Sequence, residues 1–441
     1  GTSTSMGYSI TIHSAPSITN SASINQTINL SDAYSEQLEV SGPWSLGYRV
    51  NSGSLPEGIT LDAATGTISG VAESFGRFDF SVSAENEAGW GQPTSMTIFV
   101  NRAPTLLPSI LDSQVLVSDS YLAQFTAISY PAATYSVASG TLPSGLTLNA
   151  ATGALSGEVS TAGLFKFTVV ATNAAGSETS EEFEVLVASV PLATKATISA
   201  EVTLGASYSD SVTFESYPTP SYELANGTSL PNGLSLDTST GAISGTATKM
   251  GRFSFAIVAK HAYAESAPVE LEIEVLKAPS LVSKSVDGQI MVDSEFSGLV
   301  KANSYPAAEY SLKSGELPPG VALNSGTGAL YGTATSPGEY KFVIRASNRA
   351  GYYDFTQATI TVGEEPKVLS SRTIEISKGV SFAEDISIEA YPTPEYTILS
   401  GALPFGLALT QNGSLEGTPL QDGKFEFKVR AQSWAGITDS E

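Results

Sequence analysis

The chain has 441 residues, no cysteine and a formal net charge of −23, because 44 Asp and Glu residues outnumber 21 Lys and Arg residues. So acidic a surface repels nucleic acid and anionic membranes, and a chain without cysteine has neither disulfides nor thiol chemistry. No segment approaches the roughly 20 consecutive apolar residues of a membrane span. We therefore expect neither nucleic acid as a partner nor direct membrane insertion.

The first predicted element is a β-strand at residues 6–14. Tyr8, Ile10 and Ile12 alternate with polar residues, and Ile12 lies four residues before Pro16. The same spacing before a proline recurs four times, at Val100, Val187, Val275 and Val362. Because these valines end apolar alternating segments, residues 6–14 are predicted to be the last strand of a preceding or neighbouring domain.

A longer motif then recurs through the chain. In its first copy, Leu55-Pro56 is followed by Gly58, Asp62 and Thr65-Gly66. The later copies start at Leu142, Leu230, Leu317 and Leu403, so the spacings are 87, 88, 87 and 86 residues. Such a period is the length of one small domain. We predict residues 1–14 as the stray strand, repeats at 15–102, 103–190, 191–277 and 278–364, and a fifth repeat at 365–441 that lacks its last strand.

The pattern inside each repeat predicts short strands separated by turns. Apolar residues alternate with outward residues, as at Phe78 and Phe80 and at Ile98 and Val100. Thr65-Gly66 is typical of a hairpin turn in which glycine adopts a positive φ. No helical period is sustained. The prediction is an all-β tandem array of five immunoglobulin-like sandwiches forming an extended rod.

The residues also carry a family resemblance. The string LPEGITLDAATGTISG at residues 55–70, followed by GRFDFSVSAENEAG at residues 76–89, resembles the He-PIG immunoglobulin-like repeat of bacterial and archaeal surface proteins. It is also similar to the cadherin-like repeat, which shares the segment D-x-x-T-G-x-I. The resemblance covers all five repeats. It implies seven-stranded sandwiches used in tandem as a stalk or adhesin, without catalytic residues, in an extracellular or cell-surface location on a prokaryote.

The cadherin-like side of the resemblance raises calcium. The acidic clusters with which cadherins bind calcium between domains, L-D-R-E and D-x-N-D-N, do not occur in this sequence. Asp62 and Asp237 are the remaining candidate ligands, but the corresponding positions hold Asn149, Asn324 and Thr410. A hard cation needs six to eight oxygen ligands, whereas Asp, Asn and Thr all suit a turn. We therefore predict no cofactor, with calcium as the alternative.

Catalytic and binding residues were sought next. His13 and His261 lie in different parts of the repeat array, so no serine–histidine–carboxylate arrangement is indicated, and the chain is predicted not to be an enzyme. In an immunoglobulin-like fold, Trp44 and Trp90 would lie in two loops at one pole of the first repeat. Tyr352 and Tyr353 occupy the corresponding loop of the fourth repeat. These rings could bind a glycan or a protein, or they could pack against the adjoining domain, which we favour.

Three functions follow from these observations. The first is a structural stalk or adhesin segment that spaces a binding domain from the cell. The second is a self-assembling fibre or surface-layer subunit, in which Tyr8, Ile10 and Ile12 of one copy complete the fifth repeat of the next. The third is a module array that binds surface glycans or proteins. Partners other than such ligands are neighbouring repeats or like subunits.

Overall fold

The computed structural model describes residues 2–42, 47–367, 371–386 and 388–441. The chain is a series of two-sheet β-sandwiches, which confirms the predicted fold class. Two compact units are present: Gly1–Thr194 with Phe214–Ser221 and Ala259–Ala267, and Lys195–Thr213 with Tyr222–Val258 and Pro268–Glu441. The division between them passes through the third repeat.

The first repeat establishes the arrangement that the others follow. Its elements are β1 (Ser17–Ile18), α1 (Ser21–Ile24), β2 (Thr27–Asn29), β3 (Ala33–Gln37), β4 (Val40–Ser41), β5 (Gly47–Gly53), β6 (Ile59–Leu61), β7 (Thr67–Val71), β8 (Gly76–Asn86), β9 (Gly89–Trp90) and β10 (Thr94–Leu106). One sheet has the order β3-β7-β6, and β1 pairs with β4. The other has the order β10-β8-β5, with β2 parallel to β10 and β9 paired to β8.

The second and third repeats have corresponding strands. Those of the second are β11 (Gln114–Leu116), β12 (Ser120–Gln124), β13 (Ala127–Tyr130), β14 (Thr134–Gly140), β15 (Leu146–Leu148), β16 (Ala154–Glu158), β17 (Gly163–Asn173), β18 (Gly176–Thr179) and β19 (Phe183–Ala188). Those of the third are β20 (Leu192–Lys195), β21 (Glu201–Thr203), β22 (Ser207–Ser211), β23 (Thr213–Glu215), β24 (Ser221–Leu224), β25 (Leu234–Leu236), β26 (Ala242–Thr246), β27 (Gly251–His261), β28 (Ala264–Glu265) and β29 (Val269–Ser285).

The fourth and fifth repeats complete the series. The strands of the fourth are β30 (Gly288–Met291), β31 (Glu295–Tyr305), β32 (Glu309–Gly315), β33 (Val321–Leu323), β34 (Ala329–Thr333), β35 (Gly338–Asn348), β36 (Gly351–Asp354) and β37 (Ala358–Gly363). Those of the fifth are β38 (Phe382–Asp385), β39 (Glu395–Gly401), β40 (Leu407–Leu409), β41 (Ser414–Gly417), β42 (Phe427–Ser433) and β43 (Gly436–Asp439). The sheets of the fifth repeat have the orders β38-β41-β40 and β39-β42-β43.

The last strand of each of the first four repeats places alternate apolar side chains in the core. In β10, Met96, Ile98 and Val100 are 2%, 0% and 0% exposed. In β37, Ala358, Ile360 and Val362 are similarly buried. These strands pair on one side with the preceding long strand, as β37 pairs with β35, and on the other with a short parallel strand, as β37 pairs with β30. Each last strand therefore holds both neighbours of its sheet.

Residues 2–14 differ from the predicted strand. They form no strand in the structure, and Tyr8, Ile10 and Ile12 are 89%, 88% and 90% exposed. A strand is stabilised only by hydrogen bonds to a neighbour, and these residues have none within the chain. The prediction of a last strand at residues 6–14 is thus not met inside one molecule. Donation to another molecule stays a prediction.

The Thr-Gly turn of each repeat covers a core tyrosine. In the fourth repeat, the Asn324 side-chain oxygen accepts hydrogen bonds from the backbone N–H groups of Gly326 and Thr327, each 3.0 Å long. Gly328 follows with a φ of +74°, and a Cβ there would lie 2.3 Å from the carbonyl oxygen of Val300 and 3.0 Å from the ring of Tyr310. Only glycine fits this position.

This packing predicts opposite effects for two glycines of one turn. Gly328→Ala should lower the free energy of unfolding of the fourth repeat by more than about 1 kcal/mol, since it adds a strained φ and a backbone clash. Gly326→Ala is the control, because the nearest atom to its Cβ would be 3.6 Å away. Urea unfolding followed by hydrogen exchange in the fourth repeat measures both. Equal effects would contradict this account of the turn.

Candidate functional site: the joints between repeats

Single strands run through two of the joints. β10 pairs with β8 over Thr94–Val100, and beyond it pairs with β13 of the second repeat, Arg102 opposite Tyr130 and Thr105 opposite Ile128. Pro104, which has no N–H to donate, lies at the register shift between Arg102 and Thr105. The predicted boundary between residues 102 and 103 therefore falls inside a strand, where no separate linker exists.

The joint between the third and fourth repeats is built in the same way. β29 pairs with β27 up to Val275, and then with β31 from Lys277 onward. The register shifts between Lys277 and Ser280, around Pro279. At the other two joints the strand is interrupted: β19 ends at Ala188 before β20, and β37 ends at Gly363.

One side chain at the hairpin after each long strand holds the joint. We call Asn86, Asn173, His261 and Asn348 the clamp residues. Asn173 donates hydrogen bonds to the carbonyl oxygens of Arg102 and Pro131 at 2.7 and 3.0 Å. Asn348 does the same to Lys277 and Pro306 at 2.9 and 2.8 Å.

Each clamp asparagine also shapes its own hairpin. The side-chain oxygen of Asn173 accepts the N–H of Ala175 at 2.9 Å, and that of Asn348 accepts the N–H of Ala350 at 2.9 Å. Since the amide has a donor end and an acceptor end, one side chain fixes both the hairpin and the joint. The sequence analysis treated these residues only as turn positions. Their recurrence at the same place in the repeat is the signal that could have revealed this role.

A histidine fills this position in the third repeat. Nδ1 of His261 accepts the N–H groups of Tyr263 and Ala264, each at 3.2 Å, so Nε2 carries the proton. Nε2 then donates to the carbonyl oxygen of Ser189 at 2.9 Å. His261 therefore has a structural role at the joint between the second and third repeats.

Four stretches of the chain match the family described as Putative Ig domain (He_PIG): residues 14–101, 103–188, 189–276 and 278–363. The chain belongs to the He_PIG family. No match was found among the curated proteins.

Solved structures similar to this He_PIG chain share low sequence identity with it. A titin I-band fragment, I67–I69, is 14% identical with a TM-score of 0.43, over 59% of this chain and 98% of its own. Immunoglobulin domains 1–5 of Sidekick-1 are 16% identical with a TM-score of 0.31, over 96% and 97%. Protocadherin Gamma B2 domains 3–6 are 12% identical with a TM-score of 0.31, over 78% and 98%. No functional inference is drawn from these likenesses.

Charged and aromatic side chains add to two joints of the He_PIG array. Arg349, beside the clamp residue Asn348, donates to Glu201 at 2.7 Å and also contacts Glu274, a carboxylate that is 7% exposed. The guanidinium of Arg102 lies 4.9 Å from the ring centre of Phe75 at the first joint. A charge pair with a buried partner is screened less by salt than an exposed pair is.

The joint after the fourth repeat is built differently. Ser433 occupies the clamp position and accepts the N–H of Ala435 within its own hairpin. Glu364 forms a bridge with Tyr391, and the Trp434 ring lies against the backbone at Gly363, where an added Cβ would be 2.6 Å from the ring. This aromatic ring therefore packs against the adjoining repeat.

The predicted ligand-binding aromatics are placed differently from one another. Trp44 lies outside the described residues. Trp90 is half-buried in β9, with the guanidinium of Arg49 at 4.0 Å from its ring. Tyr352 is 61% exposed and has Arg345 against one face at 3.9 Å. Tyr353 points to the opposite face of β36, packs edge-on against Phe355 and belongs to the core, because neighbouring residues of a strand alternate.

The weak metal candidates, Asp62 and Asp237, are turn residues. Asp62 accepts the N–H groups of Ala64 and Thr65 at 2.8 and 3.0 Å, the same contacts that Asn324 makes. Asp237 accepts the hydroxyl of Ser239 and the N–H groups of Ser239 and Thr240. Within the described part of the chain, no three His, Cys, Asp or Glu side chains are grouped so that they could hold a metal.

The Asp237 turn predicts a pH-dependent contribution to stability. Hydrogen bonds from the Ser239 hydroxyl and from two N–H groups lower the pKa of Asp237 from 3.8 to about 2. A lowered folded-state pKa stabilises the protein above pH 3.8, and this stabilisation is lost as the pH falls through about 2. Asp237→Asn, which resembles the protonated form, should melt below wild type at pH 7.

The control for this prediction is the pH series itself. The difference in melting temperature between wild type and Asp237→Asn should shrink as the pH falls from about 4 to about 2. Addition of calcium at pH 7 should leave both melting temperatures unchanged. A calcium-dependent rise in wild type alone would instead make Asp237 a metal ligand.

Proposed function

We propose that the five repeats form a non-catalytic spacer segment of a cell-surface or secreted protein, holding a binding domain away from the cell. The observation that carries this proposal is the continuity of β10 and β29 through their joints. A strand that is hydrogen-bonded in two successive sandwiches leaves no flexible linker between them. Bending such a joint requires breaking backbone hydrogen bonds, and little bending is what a spacer needs.

The polar contacts of the joints support the same function. Each of the first four repeats uses a clamp residue on the backbone at the linker, so the joint is specified once per repeat. Arg349 adds an ionic contact between the fourth and third repeats. Function by spacing needs these properties in every repeat, whereas a single binding site would need them in one.

The arrangement of titratable groups supports a non-catalytic function. His261 is occupied by three hydrogen bonds at a joint, and the strongly shifted carboxylates accept hydrogen bonds from turns or form ion pairs. For example, Lys313 and Arg345 hold the pKa of Asp354 well below its ordinary value. These shifts have structural causes. Membership of the He_PIG family, whose domains are not typically catalytic, supports the same conclusion.

An extracellular location forms part of the proposal. Tandem immunoglobulin-like repeats are common outside cells, and the absence of cysteine is compatible with a prokaryotic source. In the part of the chain that the structure describes, no helix is long and apolar enough to span a bilayer. Attachment to a cell would then depend on other segments or on a partner.

The alternative of a glycan- or protein-binding array rests on Trp90 and Tyr352. They occupy equivalent places in the hairpins of the first and fourth repeats, and each has an arginine against one ring face. That arginine covers a face that a sugar would need for stacking. The geometry therefore favours the spacer, and it leaves Tyr352 as the more accessible of the two rings.

Joint stiffness gives the test of the spacer function. The chain has no cysteine, so spin labels can be attached to Ser209→Cys and Ser311→Cys, at exposed positions of the third and fourth repeats. Electron–electron double resonance should give one narrow distance distribution. Asn348→Ala combined with Arg349→Ala should broaden it, because the two lost Asn348 hydrogen bonds alone are worth about 1–3 kcal/mol.

The matched control is Asn324→Ala, which removes two hydrogen bonds of a turn inside the fourth repeat and touches no joint. It should leave the distance distribution narrow. A broad distribution in the unmodified joint would overturn the spacer function. So would broadening by Asn324→Ala equal to that caused by the joint variants.

A further inference from the structure

The fifth repeat contains an open slot in its sheet. In the first four repeats, a last strand lies between a long antiparallel strand and a short parallel strand, as β37 lies between β35 and β30. In the fifth repeat the equivalent neighbours are residues 423–427 and residues 374–376. Neither residues 374–376 nor residues 423–426 form a strand among the residues that the structure describes.

The core beneath this slot is incompletely covered. Phe427 is only partly buried, whereas its equivalent in the fourth repeat, Phe342, is 0% exposed. Phe425 is also partly exposed, and Ile376 on the other side of the slot is 36% exposed. Burying such side chains stabilises a sandwich by about 25 cal/mol per Å² of apolar surface. The slot thus offers both unpaired backbone and apolar side chains.

Residues 6–12 have the sequence and the position of a last strand. Ser14 is followed by Pro16, and its carbonyl oxygen accepts the side-chain N–H of Asn86 at 2.9 Å. The carbonyl oxygens of Arg102, Ser189 and Lys277, each two residues before a linker proline, accept the same contact from the other clamp residues. The chain before Ser14 is therefore held where last strands enter a joint, although here it pairs with nothing within the chain.

We infer that residues 6–12 of one molecule fill the slot of the fifth repeat in a second copy of this chain. The pairing of β35 with β37, transferred to these residues, fixes the register. Ile12 lies opposite Gly423, Ile10 opposite Phe425 and Tyr8 opposite Phe427. Tyr8, Ile10 and Ile12 then face the core, while Ser9 lies opposite Glu426 and Thr11 opposite Lys424 on the outer face.

The joint geometry agrees with this pairing. Once residues 6–12 complete the fifth repeat, the first repeat of the donor follows it through Ser14 and Pro16, as every later repeat follows its predecessor. The contact is head-to-tail, so each copy can donate at one end and accept at the other, and the assembly is an open fibre. This inference does not depend on the spacer function, because rigid joints are needed by either a monomer or a fibre.

Disulfide trapping tests the inference on the full chain, which has no native cysteine. Chains carrying Ser9→Cys are mixed with size-tagged chains carrying Glu426→Cys, and a mild oxidant is added. A second mixture pairs Thr11→Cys with Lys424→Cys. Both mixtures should give the mixed dimer, because the paired Cβ atoms of opposite residues lie within disulfide reach.

The offset mixture of Ser9→Cys with Lys424→Cys is the control, because its diagonal Cβ atoms are too far apart for efficient bonding. It should lose most of the mixed dimer. Absence of mixed dimer from both registered mixtures would overturn the inference, and so would equal yields in the offset mixture. A chain that closes on its own slot would also give no mixed dimer.

Light scattering then tests the apolar face without cross-links. Ile10→Asp should abolish multimers, whereas Thr11→Asp, which places the same charge on the outer face, should keep them. Residues 2–14 form no strand and are exposed in the single molecule, so neither substitution can unfold a repeat. Multimers that survive Ile10→Asp, or wild-type chains that remain monomeric at high concentration, would contradict strand donation.

Discussion

The backbone hydrogen bonding of the last strand is the constraint on which this structure depends. In each of the first four repeats, this strand pairs with a long antiparallel strand and a short parallel strand. Its inward residues close the core, as Ile98 and Val100 do in β10. At two joints it also continues as the first strand of the next repeat. One strand therefore stabilises a sandwich and orients its successor.

The joints follow from that constraint. A strand shared by two sandwiches needs a place where it can change partners, and Pro104 and Pro279 mark these places, since proline lacks the N–H that a regular ladder would use. The clamp residues then satisfy carbonyl groups near the change of partner. In the third repeat, histidine replaces asparagine without loss of the contact, because the imidazole also offers one donor and one acceptor.

Much of this fold could be predicted from sequence, because its signals are local. Alternation in Ile98 and Val100 gives strand and inward face, and Thr-Gly gives a turn whose glycine lies over a core tyrosine. The period of the Leu-Pro motif gives the repeats. The clamp was missed because its partners lie about 70 residues away along the chain, as Asn348 and Lys277 do, and no local pattern reveals such a contact. Tyr353 was misplaced because one register step moves a side chain from loop to core.

The central claim is that the joints are continuous, hydrogen-bonded strands, and hydrogen exchange tests it most directly. Residues 2–14, which form no strand, provide an unprotected reference in the same molecule. Peptides covering residues 101–107 and 276–281 should exchange about as slowly as the core segments of β10 and β29. Exchange of these joint peptides at the rate of residues 2–14 would contradict the account, because the joints would then be flexible linkers between independent domains.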